Sequence, residues 1–213
     1  MKLKKINEGL QQSLINCGLT EANDLQKETF STIKSGADCL ILAPAGSGKT
    51  TTIVLNVIQQ LVKEGEQSPR ALIVVQDKEK VLEMLSIFEK LGAHTDLTVY
   101  GVHEKGDMDY DKNYISGGVD VLVGTPIKLS DMLSTAGYNV NRLKMFIIDD
   151  ADPMLRLRHE TRIARISSSI AKTQRIIFAT EMTERVESLV DKILVEPFEF
   201  DFEEYDEEDN EDV

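Results

Sequence analysis

Short, mainly apolar runs punctuate this chain at residues 39–43, 71–75, 97–100, 119–123, 144–149 and 176–179. Each has the length of a strand, and the continuous run 71–75 predicts a strand covered on both faces. Between the runs, apolar residues recur at helical spacing. Residues 5–17 and 21–34 predict two leading helices, and Thr20 or Asn23 is placed to cap the second. Residues 49–63 and 78–91 predict two more, the latter with Val81, Leu85 and Phe88 on one face. A further helix starts near Pro126, and Val186, Leu189, Val190 and Ile193 mark a final amphipathic one. Residues 101–118 carry four glycines and mixed charge, which predicts a long loop. Strands alternating with helices imply an α/β fold on a mainly parallel sheet. No internal repeat is visible.

The first run leads into Ala43-Pro44-Ala45-Gly46-Ser47-Gly48-Lys49-Thr50, and a helical segment follows. Strand, glycine loop, helix is the setting a phosphate-binding loop needs. Glycines let successive N–H groups curl around a phosphate, and the helix N-terminus adds positive potential. The nucleotide contacts expected here are Ala45, Gly46, Ser47, Gly48, Lys49, Thr50 and Thr51. Lys49 can reach the β and γ phosphates, and the Thr50 hydroxyl can take a place on Mg²⁺. Ala43 stands where the general pattern starts with glycine.

The fifth run ends in acid, as Phe146-Ile147-Ile148-Asp149-Asp150-Ala151-Asp152. A buried strand ending in carboxylates presents them at the sheet edge where the phosphate loop also lies. In a site of that kind the first acid, here Asp149, helps hold Mg²⁺, and the next, Asp150, can position the attacking water. Asp150 and Lys49 are therefore the catalytic candidates, with ATP and Mg²⁺ as the expected cofactors.

Composition narrows the partners. At 213 residues the chain can bury a full core, and one domain is the natural count. Cys17 and Cys39 are its only cysteines, which excludes a disulfide framework and a cysteine zinc site and fits a reducing, cytoplasmic setting. His94, His103 and His159 are scattered, which predicts surface positions rather than a metal cluster. No run approaches the length of a membrane span, and the N-terminus lacks an apolar signal core, so no membrane partner is expected. The net charge is −13, but residues 199–213 hold ten acids and no Lys or Arg, leaving −3 for the first 198 residues. That balance excludes a strongly basic nucleic-acid binder.

Taken in order, the motifs resemble those of the first, ATP-binding RecA-like domain of the DEAD-box RNA helicases, over roughly residues 5–195. Asp149-Asp150-Ala151-Asp152 stands where that family has Asp-Glu-Ala-Asp. Gln26, about 20 residues before the loop, stands where the family reads adenine. Gly124-Thr125-Pro126-Ile127-Lys128 resembles its Thr-Pro-Gly-Arg element, and Gln174-Arg175-Ile176-Ile177-Phe178 the strand before its Ser-Ala-Thr motif. The resemblance implies a three-layer RecA-like P-loop NTPase domain that binds ATP. It also implies RNA contacts at Thr125, Pro126 and Lys128, and at Lys78 in the segment 76–81 that replaces Pro-Thr-Arg-Glu-Leu-Ala. The chain departs from the family at several of these points. Asp150 replaces the glutamate that positions water. Ala179-Thr180-Glu181 replaces Ser-Ala-Thr, and Asp77 would face RNA phosphate unfavourably. Lys128 replaces an arginine and cannot make a bidentate phosphate contact. No aromatic residue precedes Phe30, so the ring that stacks on adenine is absent. Only 18 residues follow residue 195, so the family's second RecA-like lobe, with its arginine fingers, would have to come from a partner.

A domain over residues 1–197 and a tail over 198–213 are expected. In the tail Phe198, Phe200 and Phe202 alternate with Glu199 and Asp201, then Tyr205 precedes an acidic run from Asp206 to Asp212. Such a tail is either a solvated appendage or an edge strand or docking peptide. Three functions fit. One is a stand-alone ATP- or ADP-binding domain with slow hydrolysis and weak affinity for single-stranded RNA. Another is a helicase subunit completed by a protein partner that supplies the second lobe. The third is a non-enzymatic module whose partner reads the acidic tail.

Overall fold

The computed structural model describes residues 6–61 and 68–202. Two helices lead, α1 (Glu8–Asn16) and α2 (Asp24–Ser35). Then follow β1 (Cys39–Leu42), α3 (Lys49–Leu61), β2 (Ala71–Val74), α4 (Lys78–Leu91), β3 (Val99–Val102), α5 (Met108–Ser116), β4 (Val121–Gly124) and α6 (Pro126–Ser134). The chain continues through β5 (Met145–Ile148), α7 (Ala151–Arg156), α8 (Glu160–Ser168), β6 (Gln174–Ala179), α9 (Glu184–Ile193) and β7 (Phe198–Asp201). The strands form one sheet in the order β3-β4-β2-β5-β6-β1-β7. Every pairing is parallel, so all carboxyl ends lie along one edge.

The apolar runs become strands because both faces are covered. Cys39, Ile41, Ile73, Val123, Ile147 and Phe178 point to the layer of α1 to α4. Leu40, Leu72, Leu122, Phe146, Ile148 and Ile177 point to the layer of α5 to α9. This is the three-layer α/β architecture expected from the sequence, with a sheet that is parallel throughout.

Residues 101–118 differ from the loop expectation. Residues 101 and 102 belong to β3, and 108–116 form α5, capped by Asp107. Periodicity fails there because the inward positions of α5 are Asp111 and Ile115, one of them a carboxylate. Asp111 is buried because it accepts from Tyr100 Oη at 2.8 Å and lies 2.8 Å from Lys128 Nζ. Gly101 sits within β3 because α4 passes so close that a Cβ would stand 2.6 Å from Val81 Cγ1. The stretch between β5 and β6 carries α7 and α8, which the apolar spacing did not mark.

β7 pairs with β1 from Cys39↔Phe198 to Leu42↔Asp201. Of the two readings of this stretch, the edge strand is the one observed for residues 198–201, and the sheet therefore runs past the domain boundary expected at residue 197. Phe200 and Phe202 pack against the core on the α1 to α4 face, whereas Phe198 is exposed. Tyr205 and the acidic run from Asp206 to Asp212 lie outside the described residues.

Arg70, just before β2, is 5% exposed and braces the opposite edge of the sheet. Its Nε and Nη2 donate to Asp120 Oδ1 at 2.9 and 2.6 Å, and Nη1 donates to Leu61 O at 3.1 Å. Asp120 Oδ2 in turn accepts from Thr98 N at 2.9 Å. Removing one partner of a buried pair leaves a charge without its counterion. Asp120→Ala is expected to lower the unfolding free energy by about 3 kcal/mol in urea denaturation, far from the sheet edge that carries the glycine loop.

Candidate functional site

The chain leaves the buried strand β1 at Ala43 and must turn within a few residues to begin α3. Gly46 and Gly48 make that turn at φ of 81° and 91°, a region costly for residues with a Cβ. The loop is braced by α2. Asn23 Oδ1 accepts from Gln26 N at 2.9 Å, and Gln26 Oε1 accepts from Asn23 N at 3.3 Å. This reciprocal cap leaves Asn23 Nδ2 to donate to Ser47 O at 2.8 Å. Gln26 is thus buried beside the loop, as half of the cap, while Thr20 is exposed and lies ahead of the helix. The sequence pointed to Asn23 as a cap, and its grip on the loop emerges only from the fold.

Lys49 is 8% exposed at the start of α3. Its Nζ donates to Ala43 O at 2.6 Å and Pro44 O at 3.1 Å, and lies 3.6 Å from Asp150 Oδ1. Thr50 Oγ1 donates to Asp149 Oδ2 at 3.2 Å. Asp149 is buried at the end of β5, and that burial, with Asp150 adding to it, pushes its carboxyl up to about 6. The hydrogen bond from Thr50 and the charges of Lys80 and Lys49 act the other way.

Asp150 adopts φ 57°, a left-handed conformation that aspartate tolerates better than most residues. Its Oδ1 accepts from Thr180 Oγ1 at 3.3 Å, and Thr180 N donates to Asp152 Oδ2 at 2.7 Å. Thr180 therefore ties the turn after β6 to both acids. Setting Ala179-Thr180-Glu181 against Ser-Ala-Thr shows a lost hydroxyl and an added charge, but not this bridging role of Thr180.

A cleft of about 240 Å³ joins these groups. Ala45, Gly46, Gly48, Lys49, Thr50 and Thr51 line one side, and Asp149 and Asp150 the floor. Ser47 turns its carbonyl to Asn23 instead. Val75, Gln76, Lys80, Glu83 and Ile87 form the facing wall. Sequence reasoning missed that wall, because α4 read as an amphipathic helix whose first residue, Lys78, was assigned to RNA. The available signal was the two lysines, Lys78 and Lys80, in its first turn, where the helix dipole disfavours cations.

A hydroxyl beside a carboxylate, with a second carboxylate adjacent, is an all-oxygen donor set. It suits Mg²⁺, which takes one or two carboxylates and completes its shell with phosphate and water. Among the described residues no group of three or more His, Cys, Asp or Glu converges as an all-protein metal site. None of the described helices is long and apolar enough to cross a membrane.

The residues expected to meet RNA are scattered in character. Thr125 and Pro126 form the buried start of α6, and Lys78 is half-buried at the start of α4. Asp77 spends its side chain capping α4, accepting from Lys80 N at 2.9 Å. Lys128 is 4% exposed, donates to Gly106 O at 2.7 Å and lies 2.8 Å from Asp111 Oδ2. Its ammonium is committed inside the domain.

The DEAD/DEAH box helicase family model matches residues 23–189. An ATP-dependent RNA helicase eIF4A of Eremothecium gossypii is 28% identical over 194 residues, covering 91% of this chain and 49% of that relative. Another eIF4A, from Kluyveromyces lactis, is 28% identical over 173 residues, covering 81% and 43%. A eukaryotic initiation factor 4A of Caenorhabditis elegans is 23% identical over 194 residues, covering 91% and 48%. The chain thus spans about half the length of the curated relatives it matches.

A carboxyl raised to about 6 by burial holds its proton more tightly in the folded than in the unfolded chain. Stability is therefore lost as pH rises from about 4, the unfolded value, to about 6, and stays lost above it. Asp149→Asn, without nucleotide, is expected to stabilise the fold at pH 7.5 by on the order of 2 kcal/mol. The gain should shrink as pH falls toward 5, which paired urea denaturations at the two pH values will read.

Proposed function

Because the chain belongs to the DEAD/DEAH box helicase family, we propose that this domain binds ATP with Mg²⁺ on the loop from Ala43 to Thr50. Hydrolysis is slow in this domain alone and quickens when a second lobe is supplied. The observation that carries the proposal is the hydrogen bond from Thr50 to Asp149, which puts a magnesium-type donor set directly beside the glycine loop. The ATP-dependent RNA helicases named eIF4A among the relatives support the same reading.

The parts act as follows. The N–H groups of 46–50 and the start of α3 receive the phosphates. Lys49 gives up its two loop carbonyls to meet the β and γ phosphates. Thr50 and Asp149 would hold Mg²⁺, which when bound neutralises phosphate charge and relieves the cost of ionising Asp149. Asp150, steadied by Lys49 and Thr180, orients the attacking water. Its side chain is one methylene shorter than glutamate, which sets its carboxylate back by about 1.5 Å. Among the described residues no arginine lines the cleft, so the charge that an arginine finger would stabilise is left to lysines and the backbone. Such a finger contributes on the order of 10³–10⁵ in rate in related sites.

RNA is the proposed second ligand, bound weakly by this domain in its single-stranded form. The first 198 residues carry a charge of only −3, and Lys128 is already paired. Phosphate contacts dominate nucleic-acid affinity and weaken with salt. The protein partner that supplies the second lobe is proposed on the family relationship alone.

ATP with Mg²⁺ should raise the melting temperature by mass action, equivalent to about 2.7 kcal/mol at a hundred times Kd. Lys49→Ala should abolish that shift, with the ligand-free melting temperature of the variant as its own baseline, since the lysine also holds two loop carbonyls and faces Asp150. No shift in the wild-type protein at millimolar ATP would end the nucleotide reading. Steady-state turnover should fall well below the range of about 1–10³ s⁻¹ typical of enzymes, and Asp150→Glu should raise it. Rapid hydrolysis by the wild-type domain would show that Asp150 suffices.

A further inference from the structure

α4 brings to the cleft a pair of charges that the proposed chemistry does not use. Lys80 and Glu83 both line the cleft wall opposite the glycine loop. Lys80 Nζ lies 2.8 Å from Glu83 Oε2, and the two side chains are 42% and 48% exposed. The segment of the family that this stretch resembles has leucine where Lys80 stands. A lysine in the first turn of a helix opposes the helix dipole. An exposed ion pair three residues apart does little more than offset that cost. Fold stability therefore gives little reason for an ammonium here, and its surroundings offer another.

The two lysines in the cleft are held differently. Lys49 is buried, with two loop carbonyls and Asp150 as partners. Lys80 is half exposed, and among the described residues its side chain hydrogen-bonds to a half-exposed carboxylate on its own helix. It also lies within the field of Asp149 and Asp150 on the floor. A bound terminal phosphate brings more charge into this confined space than Glu83 carries, and an ammonium exchanges readily between two anions when both are wet.

We propose that Lys80 is a second phosphate-reading cation, which leaves Glu83 to bind the terminal phosphate of a nucleoside triphosphate from the α4 wall. This rests on the nucleotide reading above and deepens it. Lys49 serves both di- and triphosphates, whereas Lys80 distinguishes them. Glu83 parks the ammonium when the cleft holds no triphosphate. In this way α4 supplies from within the domain part of the charge that an arginine would otherwise provide.

Calorimetric titration of ATP and ADP, each with Mg²⁺, tests it on five proteins. These are wild type, Lys80→Met, Lys80→Arg, Glu83→Gln and Lys49→Ala. A hydrogen bond to a charged group is worth about tenfold or more in affinity. Lys80→Met should weaken ATP about tenfold and ADP less than about threefold. Lys80→Arg should restore most of the ATP affinity, and Glu83→Gln should tighten ATP while leaving ADP unchanged. Lys49→Ala should weaken both nucleotides. Lys80→Met acting equally on ATP and ADP, or on neither, while Lys49→Ala weakens both, would sink the role of Lys80 and leave the loop reading intact. Failure of wild type to bind either nucleotide would overturn both. An unchanged ligand-free melting temperature confirms that the Met variant is folded, as expected for a half-exposed side chain.

Discussion

The hydrogen bond from Thr50 to Asp149 spans 99 residues of chain. It depends on a sheet in which every strand points the same way. β1 and β5 are not neighbours; β6 lies between them and pairs with both. Because all three are parallel, their carboxyl ends emerge together. The glycine loop, the acids after β5 and Thr180 after β6 then meet with no further device. Antiparallel placement of β6 would remove Thr180 from both acids.

That convergence carries an electrostatic cost, and much of the local structure answers it. Asp149 and Asp150 are adjacent, and the first is desolvated at the end of a buried strand. Lys49 faces Asp150, Thr50 faces Asp149, and the N–H of Thr180 holds Asp152. The carboxyl of Asp149 is still raised to about 6. An arrangement of this kind costs most at neutral pH, where the buried Asp149 carboxyl must ionise beside Asp150.

Elsewhere the fold spends basic residues on itself. Arg70 closes on Asp120 at the start of β2 and β4, and Lys128 closes on Asp111 beneath α5. Of the two, Lys128 is the one that the sequence alone presents as a candidate for an external anion. Once paired inside the domain, it is withdrawn from phosphate. The weakness proposed for RNA binding follows from this internal pairing as well as from the thin net charge.

Much was legible from the residues in order. Continuous apolar runs announced the strands, since only a strand covered on both faces needs apolar side chains at every position. Gly46-Ser47-Gly48-Lys49-Thr50 announced the loop, because backbone curvature and a following helix are local properties. Asp149 was marked by its place at the end of such a run. What escaped were features whose burial is polar or whose partners are distant. α5 was hidden because a carboxylate points inward and finds Tyr100 and Lys128. Asn23 showed itself as a cap, but its hold on Ser47 needs α2 folded against the loop. Thr180 reaches Asp150 because β6 lies between β1 and β5, and Lys80 reaches the cleft because α4 packs against α3, β3 and β4. For β7 the residues allowed either a solvated tail or an edge strand. Only the unpaired side of β1, with apolar surface for Phe200 and Phe202 to cover, decides between them. Local geometry and continuous apolar burial are written along the chain, whereas the partners of a buried polar group are chosen by the packing of elements far apart in sequence.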